Sequence, residues 1–439
     1  MEIKNYDLAP NPRTVDTESS QDEIYVSIKI GNGQIGGNKI SSNGELLAKG
    51  NLTEPTYIGN SSTLSDKEIE IETNVLDVNA FTNRCIITTS FFNQNNNKLY
   101  SEIDKGDAPE NGVASFKGKY VIKFIIALIC LLSISQQYVT AQSFSEEIVF
   151  NKLETPSSPG LILYDETTSS IEKPTTPQGL GISLLGLGQN GGALECAPFW
   201  LTDHPDLTAN DMYMNKTPLL SHLAVSIASA KSDTLSFISG GIRTRLFQSY
   251  GEKVKDLDSY KSQLEELLVD PVQNNEEIDS LRKAYVKHTQ NPIFSIDLAA
   301  AIGGSSTANT YDSLNLNRWA VWLSFNLRPK GDDFYITLIT RYINNEEYIE
   351  TNIEADLIDL GARLNYDISK VTVSLEYIHR MNFTSEIFDD YRLAVIGSYQ
   401  LADNIFVTST IGKNFTNVNN IIALAGLNFG FSQKKFKAY

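Results

Sequence analysis

From about residue 179 to the end of the chain, apolar and polar residues change places with period two. The runs are about ten residues long, the length of a strand that crosses a membrane with one face in lipid. Trp319, Val321, Leu323, Phe325 and Leu327 share one face, with Arg318, Ser324, Asn326 and Arg328 opposite. Phe334, Ile336, Leu338 and Tyr342 oppose Tyr335, Thr337 and Arg341. The same reading holds for 359–367, 371–380, 391–400, 404–415 and 421–431, and earlier for 179–188, 193–200, 220–230, 234–247 and 292–303. The connections of the later runs alternate short and long, as they do between the two rims of a barrel. A soluble sandwich or jelly roll alternates too, but so many consecutive strands at hairpin spacing favour an antiparallel transmembrane β-barrel of about twelve strands. Aromatic residues near the strand ends (Trp319, Tyr342, Tyr366, Tyr377, Tyr391, Tyr399, Phe431) suit an interfacial girdle.

One insertion breaks the pattern. Residues 252–288 carry Val254, Leu257, Tyr260 and Leu264 at helical spacing, then Asp270-Pro271, then Ile278, Leu281 and Tyr285. That reads as two amphipathic helices in a hairpin. Counting strands back from a periplasmic C-terminus puts it on the periplasmic side, where it either docks a protein partner or caps the barrel.

The inward-facing positions are rich in arginine: Arg243, Arg245, Arg318, Arg341, Arg363, Arg380 and Arg392. Asp297, Asp359, Glu376 and Asp367 oppose them. Two readings stand: a charge network that fills and stiffens a narrow barrel, or a pore whose basic wall favours anions.

Residues 117–143 have the layout of a secretory signal. Lys117, Lys119 and Lys123 precede an apolar core from 124 to 134, and Val139-Thr140-Ala141 supplies small residues for cleavage between Ala141 and Gln142. The core is about half of the roughly 20 residues of a spanning helix. Yet 116 residues precede the segment. Either two neighbouring reading frames are joined here, or the chain has two parts of which residues 1–116 stay in the cytoplasm. Residues 142–178, rich in Pro, Thr and Ser, read as an extended periplasmic segment or a strap across the barrel mouth, since proline removes ladder donors.

The first 20 residues read as a loose arm. After them β-rich runs at 23–30, 67–72, 83–92 and 114–122, separated by Asn/Gly/Asp/Ser clusters, suggest a small β-sandwich. Gly31-Asn32-Gly33-Gln34-Ile35-Gly36 satisfies the dinucleotide pattern, but that site needs a helix opening at the third glycine. Gly37-Asn38 and a Ser-Ser-Asn-Gly turn follow instead, so the motif reads as a hairpin.

Composition narrows the functions. With 53 acidic against 36 basic residues, a net charge of −17, the chain lacks the basic face that nucleic acid requires. Cys85, Cys130 and Cys196 are too few and scattered for a disulfide framework or a metal cluster. The histidines His204, His222, His288 and His379 stand in no context that resembles the His-x-Ser-Asn-Gly-Arg signature of outer-membrane phospholipases. No enzyme, cofactor or metal is expected. The stretches around Thr155-Pro156-Ser157-Ser158-Pro159, Ile171-Glu172-Lys173-Pro174 and Ala197-Pro198-Phe199-Trp200-Leu201 resemble uncharacterised outer-membrane β-barrel proteins of the Bacteroidota, over residues 142 to 439. The resemblance implies location and fold, with lipid as surroundings, and no defined activity. The expectation is a mainly β chain: sandwich (1–116), internal signal (117–141), Pro/Thr/Ser-rich segment (142–178) and outer-membrane barrel (179–439). A narrow channel for small anionic solutes is the leading function. A non-conducting scaffold or secretion component docking a partner through its helical insert is the rival.

Overall fold

A computed structural model describes residues 1–8, 11–17, 21–124, 159–163, 171–172, 192–214, 219–231, 236–306, 314–329, 333–348, 353–368, 371–383, 389–402, 405–413 and 421–429. The chain divides into two compact units. One holds Met1–Gln142 together with Asp203–Thr217 and Glu252–Gln290; the other holds Ser143–Thr202, Pro218–Gly251 and Asn291–Tyr439.

The first unit contains a β-sandwich. One sheet runs β1 (Ile3–Asp7), β10 (Val113–Phe124), β7 (Glu68–Leu76), β4 (Ile35–Ser42), β5 (Glu45–Gly50), with β2 (Arg13–Thr17) also paired to β10. The facing sheet runs β6 (Thr56–Asn60), β3 (Glu23–Ile30), β8 (Arg84–Phe92), β9 (Lys98–Asp107), with the one-turn helix α1 (Ser61–Leu64) after β6. Alternation sends Ile24, Val26 and Ile28 of β3 and Ile69 and Ile71 of β7 into one core with Phe91, Phe116 and Tyr120. At roughly 1.5–3 kcal/mol for each large apolar side chain removed from water, this core holds the two sheets together.

The arm read as loose is structured. β1 and β2 add in parallel to successive halves of β10, and Val15 is fully buried. β10 also runs past residue 116, where the sequence reading ended the domain. Lys117, Lys119 and Lys123 therefore lie on an interior strand of a sheet, with Lys117 beside Glu72 and Lys119 beside Glu68 of β7. The apolar core of the expected signal from residue 125, the Ala141–Gln142 junction and the following residues to 158 lie outside the described residues.

Two pieces of the later sequence complete this unit. Residues 203–217 carry a short helix, α3 (Ala209–Tyr213), started by a Thr208 capping box with Asp211. The insert at 252–288 is a helical pair, α4 (Lys253–Leu267) and α5 (Asn275–Gln290), as its spacing predicts. Leu257, Leu264 and Leu268 of the first helical stretch and Ile278 and Tyr285 of the second are buried. Tyr213 joins the two pieces through a hydroxyl bond to Asp258 Oδ1 at 2.6 Å and an edge contact with the Tyr285 ring.

The second unit is a twelve-stranded sheet in sequence order: β11 (Ile171–Glu172), β12 (Gly192–Cys196), β13 (Ala224–Lys231), β14 (Ser236–Ser249), β15 (Phe294–Ser306), β16 (Asn315–Leu327), β17 (Phe334–Tyr348), β18 (Ile353–Ile368), β19 (Val371–Asn382), β20 (Asp390–Ala402), β21 (Ile405–Lys413) and β22 (Ile421–Phe429). All pairings are antiparallel except β11 with β12. The strand expected at 179–188 lies outside the described residues, and the two-residue β11 stands ahead of β12 in the order. One face is apolar and open: Leu338, Leu360, Leu364, Val373, Leu375, Leu393 and Val395 are each more than 40 % exposed. A contiguous apolar face of this kind marks a surface that meets lipid or protein. The other face is buried and mostly polar, with a short helix α2 (Pro159–Ile162) laid on β13, β14 and β15. The two-residue turns at 369–370 and 403–404 fall at one end of the sheet. The links carrying residues 203–217 and α4–α5 leave from that same end.

Candidate functional site

The Gly-x-Gly turn is where the sandwich meets residues 203–217. Asn32 and Gly33 both have positive φ, 55° and 66°, and Gln34 N–H closes the turn on the Gly31 carbonyl at 3.2 Å. That geometry suits a tight hairpin. The structure corrects the hairpin expectation in one respect: the flanking strands part, β3 into one sheet and β4 into the other. Because no ladder follows the turn, its amides are available to another segment. Asn32 N–H donates to the His204 carbonyl at 2.9 Å, and Gly33 N–H to the Leu207 carbonyl at 2.7 Å. His204 N–H returns a bond to Asn32 Oδ1 at 2.8 Å. Behind the turn, Asn79 Nδ2 holds the Asn32 carbonyl at 2.6 Å. Gly33 lies under the Met212 side chain, and a Cβ there would stand 2.8 Å from Met Cγ.

Charges frame this contact. Asp203 lies 3.0 Å from Arg84 Nε and 2.8 Å from Lys105 Nζ, and Asp206 lies 2.7 Å from Lys29 Nζ. Burial alone would raise the Asp203 carboxyl, but Lys105 and Arg84 outweigh it and hold the group below its ordinary value. The Lys29 bond does the same for Asp206. These side chains are largely open to solvent, so each pair is worth about 1 kcal/mol or less.

The helical pair is held by backbone contact. Asn74 of β7, fully buried, donates Nδ2 to the Leu268 carbonyl at 2.9 Å, satisfying one of the free carbonyls at the end of α4. Gly37, opposite Asn74 in the ladder, lets that helix end approach: a Cβ there would lie 2.4 Å from the Glu265 carbonyl oxygen. Asn51 reaches Glu265 Oε2 at 2.9 Å, and Arg282 of α5 reaches Asn111 Oδ1 at 2.8 Å. The insert thus has a partner within its own chain. A cytoplasmic place for residues 1–116 finds no support here, because both sides of this contact must share one compartment.

The inward residues named from sequence form a buried belt across the sheet. Arg243 meets Glu195 at 2.5 Å, and Arg245 meets Asp297 at 2.8 Å. Asn326 joins Asp297 at 2.8 Å, and Thr337 joins Asn326 at 2.9 Å. Asp359 takes Arg341 Nε at 2.9 Å on one oxygen and Arg380 Nε at 2.8 Å on the other. Glu376 takes Arg363 Nε at 2.9 Å, with a second short contact to its Nη2. Arg392 Nε lies 2.9 Å from Glu376 Oε1 as an ion pair off hydrogen-bonding alignment. Arg318 instead holds backbone, the Asn345 carbonyl at 3.0 Å and the Leu163 carbonyl at 3.1 Å. Glu195 was missed by the sequence reading, and Asp367 stands apart, bonded by Thr372 at 2.8 Å.

The inner face is also occupied by the chain itself. Leu163 is buried in an apolar cluster with Phe237, Ala299, Trp322, Ile343 and Leu357. Ser239 Oγ donates to the Gly160 carbonyl at 2.7 Å, and Gly241 gives the helix room, since a Cβ there would lie 2.9 Å from Gly160 N and Pro159 Cβ. His222 falls in a 3-10 turn before β13, its Nδ1 3.1 Å from Ser221 Oγ, and His379 sits in the outward row of β19. Among the described residues no group of three or more His, Cys, Asp or Glu could hold a metal ion.

No protein-family model matches the chain, and no curated protein does. Among solved structures it is similar to a loop-deletion mutant of OmpT, an outer membrane protein of Vibrio cholerae, at 10 % identity and a TM-score of 0.31, covering 93 % of this chain and 100 % of that one. An anion-selective porin from Comamonas acidovorans gives 9 % identity and 0.26, with 93 % and 98 % covered. A mutant porin of Rhodopseudomonas blastica gives 9 % and 0.23, with 92 % and 100 % covered. At such scores the likenesses carry no argument about function.

Proposed function

We propose that this chain is an outer-membrane scaffold: a filled β-barrel whose inserts hold the N-terminal β-sandwich on the periplasmic side. The observation that carries the reading is that Asp203–Thr217 and Glu252–Gln290, which leave the sheet at the end of its two-residue turns, belong to one compact unit with the sandwich. The open apolar face supports a lipid surround, and short turns belong to the periplasmic rim of such barrels. Burial of the opposite face supports closure of the sheet on itself. Ion pairing of the belt and the seat of Leu163 support a closed interior, with binding rather than passage as the task.

The test is a chain carrying a protease site between residues 125 and 158, cut in isolated outer membranes and then washed. Retention of the sandwich by the membranes is expected; its complete release refutes the scaffold. One observation favours the other reading, a narrow anion channel: among the described residues the buried inner face carries more guanidiniums than carboxylates. Planar-bilayer recording separates the two, because a filled scaffold gives no conductance steps.

A further inference from the structure

The segment that the Asn32-Gly33 turn grips is built as a ligand in its own right. Leu207 N–H closes on the His204 carbonyl at 3.2 Å, so His204-Pro205-Asp206-Leu207 is a β-turn with proline at its second position, where a fixed φ suits the turn. Thr208 then caps the helical turn that follows. Its N–H donates to Asp211 Oδ2 at 3.0 Å, and Asp211 N–H returns to Thr208 Oγ1 at 3.4 Å. Both closures are local to the segment, and a pre-shaped ligand loses little conformational freedom on binding.

The sandwich meets this stretch with three kinds of group. The Asn32 and Gly33 amides take the His204 and Leu207 carbonyls, and Asn32 Oδ1 takes the His204 amide. Two glycines leave room for side chains: a Cβ on Gly31 would stand 2.7 Å from Pro205 Cα, and one on Gly33 2.8 Å from Met212 Cγ. Lys29 lies against Asp206, and Arg84 and Lys105 lie against Asp203. The backbone contacts fix the pose, while the proline seat and the three cations select an acidic turn. All of these ligand groups fall within residues 203–213, so the recognition needs no other part of the chain that carries them. We infer that the Asn32-Gly33 face of the sandwich is a peptide-recognition site for acidic turns of the form Asp-x-Pro-Asp-Leu, taken from a second protein as well as from its own chain.

The inference rests on the docked reading and deepens it by naming the ligand. It is tested on the full-length protein in detergent with residues 203–213 replaced by an equally long Gly/Ser stretch, folding verified by heat-modifiable gel mobility. The probe is a fluorescein-labelled synthetic peptide of residues 202–214, followed by fluorescence anisotropy. Saturable one-to-one binding is expected. The unaltered protein, whose own segment competes at an effective concentration on the order of millimolar, is expected to bind the peptide about tenfold or more weakly. Reversing both charges in the peptide, Asp203→Lys with Asp206→Lys, is expected to weaken binding about tenfold or more. The same two substitutions made in the chain empty the seat without changing the segment's length, so whichever variant folds decides. Absence of saturable binding to the emptied chain overturns the inference, and so does equal binding of the charge-reversed peptide. The docked reading fails separately, by release of the sandwich from the cut, unaltered chain.

Discussion

Replacing Gly37 by alanine is expected to detach the helical insert from the sandwich while leaving the sandwich folded. Gly37 sits within β4, where alanine is compatible with the strand. Its added methyl would meet the end of the first insert helix: the Glu265 carbonyl oxygen at 2.4 Å, Leu268 C at 2.9 Å and Val269 N at 2.9 Å. All three are backbone atoms and cannot rotate aside, so the helix must move. Overpacking of this kind costs about 1–3 kcal/mol. The shift also breaks the bond from Asn74 Nδ2 to the Leu268 carbonyl, and a buried bond lost with its partner left dry costs about 1 kcal/mol or more. A combined loss of about 2–4 kcal/mol raises the dissociation constant roughly thirty- to several-hundredfold. The assay is the cut chain in outer membranes, with the sandwich released into the wash measured as a function of dilution. If Gly37→Ala is retained as tightly as its parent, the helix end does not bear on this surface and the docking argument fails.

Three further outcomes follow from the same contacts. Asp203 and Asp206 both have carboxyl pKa values held below the ordinary 3.8, so their stabilisation is present above that value and is lost as pH falls through the lowered one. Retention of the cut sandwich should therefore be flat between about pH 5 and 8 and weaken below about pH 4; a loss centred near pH 6.5 would refute these carboxylates as the titrating groups. Asp359→Asn leaves the buried Arg341 and Arg380 without their shared counter-charge, a change worth about 3–5 kcal/mol; an unaltered thermal midpoint in detergent would show that the belt is not sealed. Gly241→Val drives a side chain into Pro159 and Gly160 and should unseat Leu163, so that conductance steps appear in planar bilayers where the parent is silent; a silent variant would mean that the segment does not block the interior.

The sheet was legible because each long strand carries its own signal. In β16 to β20 the alternation alone placed Arg341, Asp359, Arg363, Glu376 and Arg380 on the inner face, where they are buried. The helical pair was legible for the same local reason. What escaped depends on partners far away in sequence. Glu195 sits on a five-residue strand, too short for period two to stand out, and its partner Arg243 is two strands away. β1 and β2 are short and mostly polar; only pairing with β10, about a hundred residues later, makes them strands. The turn at Asn32-Gly33 was recognised as a turn, but its ligands at His204 and Leu207 lie some 170 residues on. A pair of glycines at 36 and 37 with no helix following was the one local hint that another backbone comes close.

The position of β10 bears on how the chain is made. Lys117, Lys119 and Lys123 look like the basic start of a signal, yet they belong to the strand that pairs with β1, β2 and β7. The same residues cannot lie in a secretion channel and hold an interior place in a folded sheet at one time. If 117–141 is engaged as a signal, the sandwich loses the strand that joins β1 and β2 to β7 and cannot form before export. If the sandwich is part of the finished protein, it must fold on the same side of the inner membrane as the inserts it grips. Extraction of the outer membrane followed by quantitative peptide mass spectrometry decides between these. The docked reading expects peptides from residues 1–124 and 192–429 in equal amounts. Recovery of the later peptides alone, with a chain beginning at Gln142, would show that the barrel lives without this sandwich and that its inserts serve some other occupant.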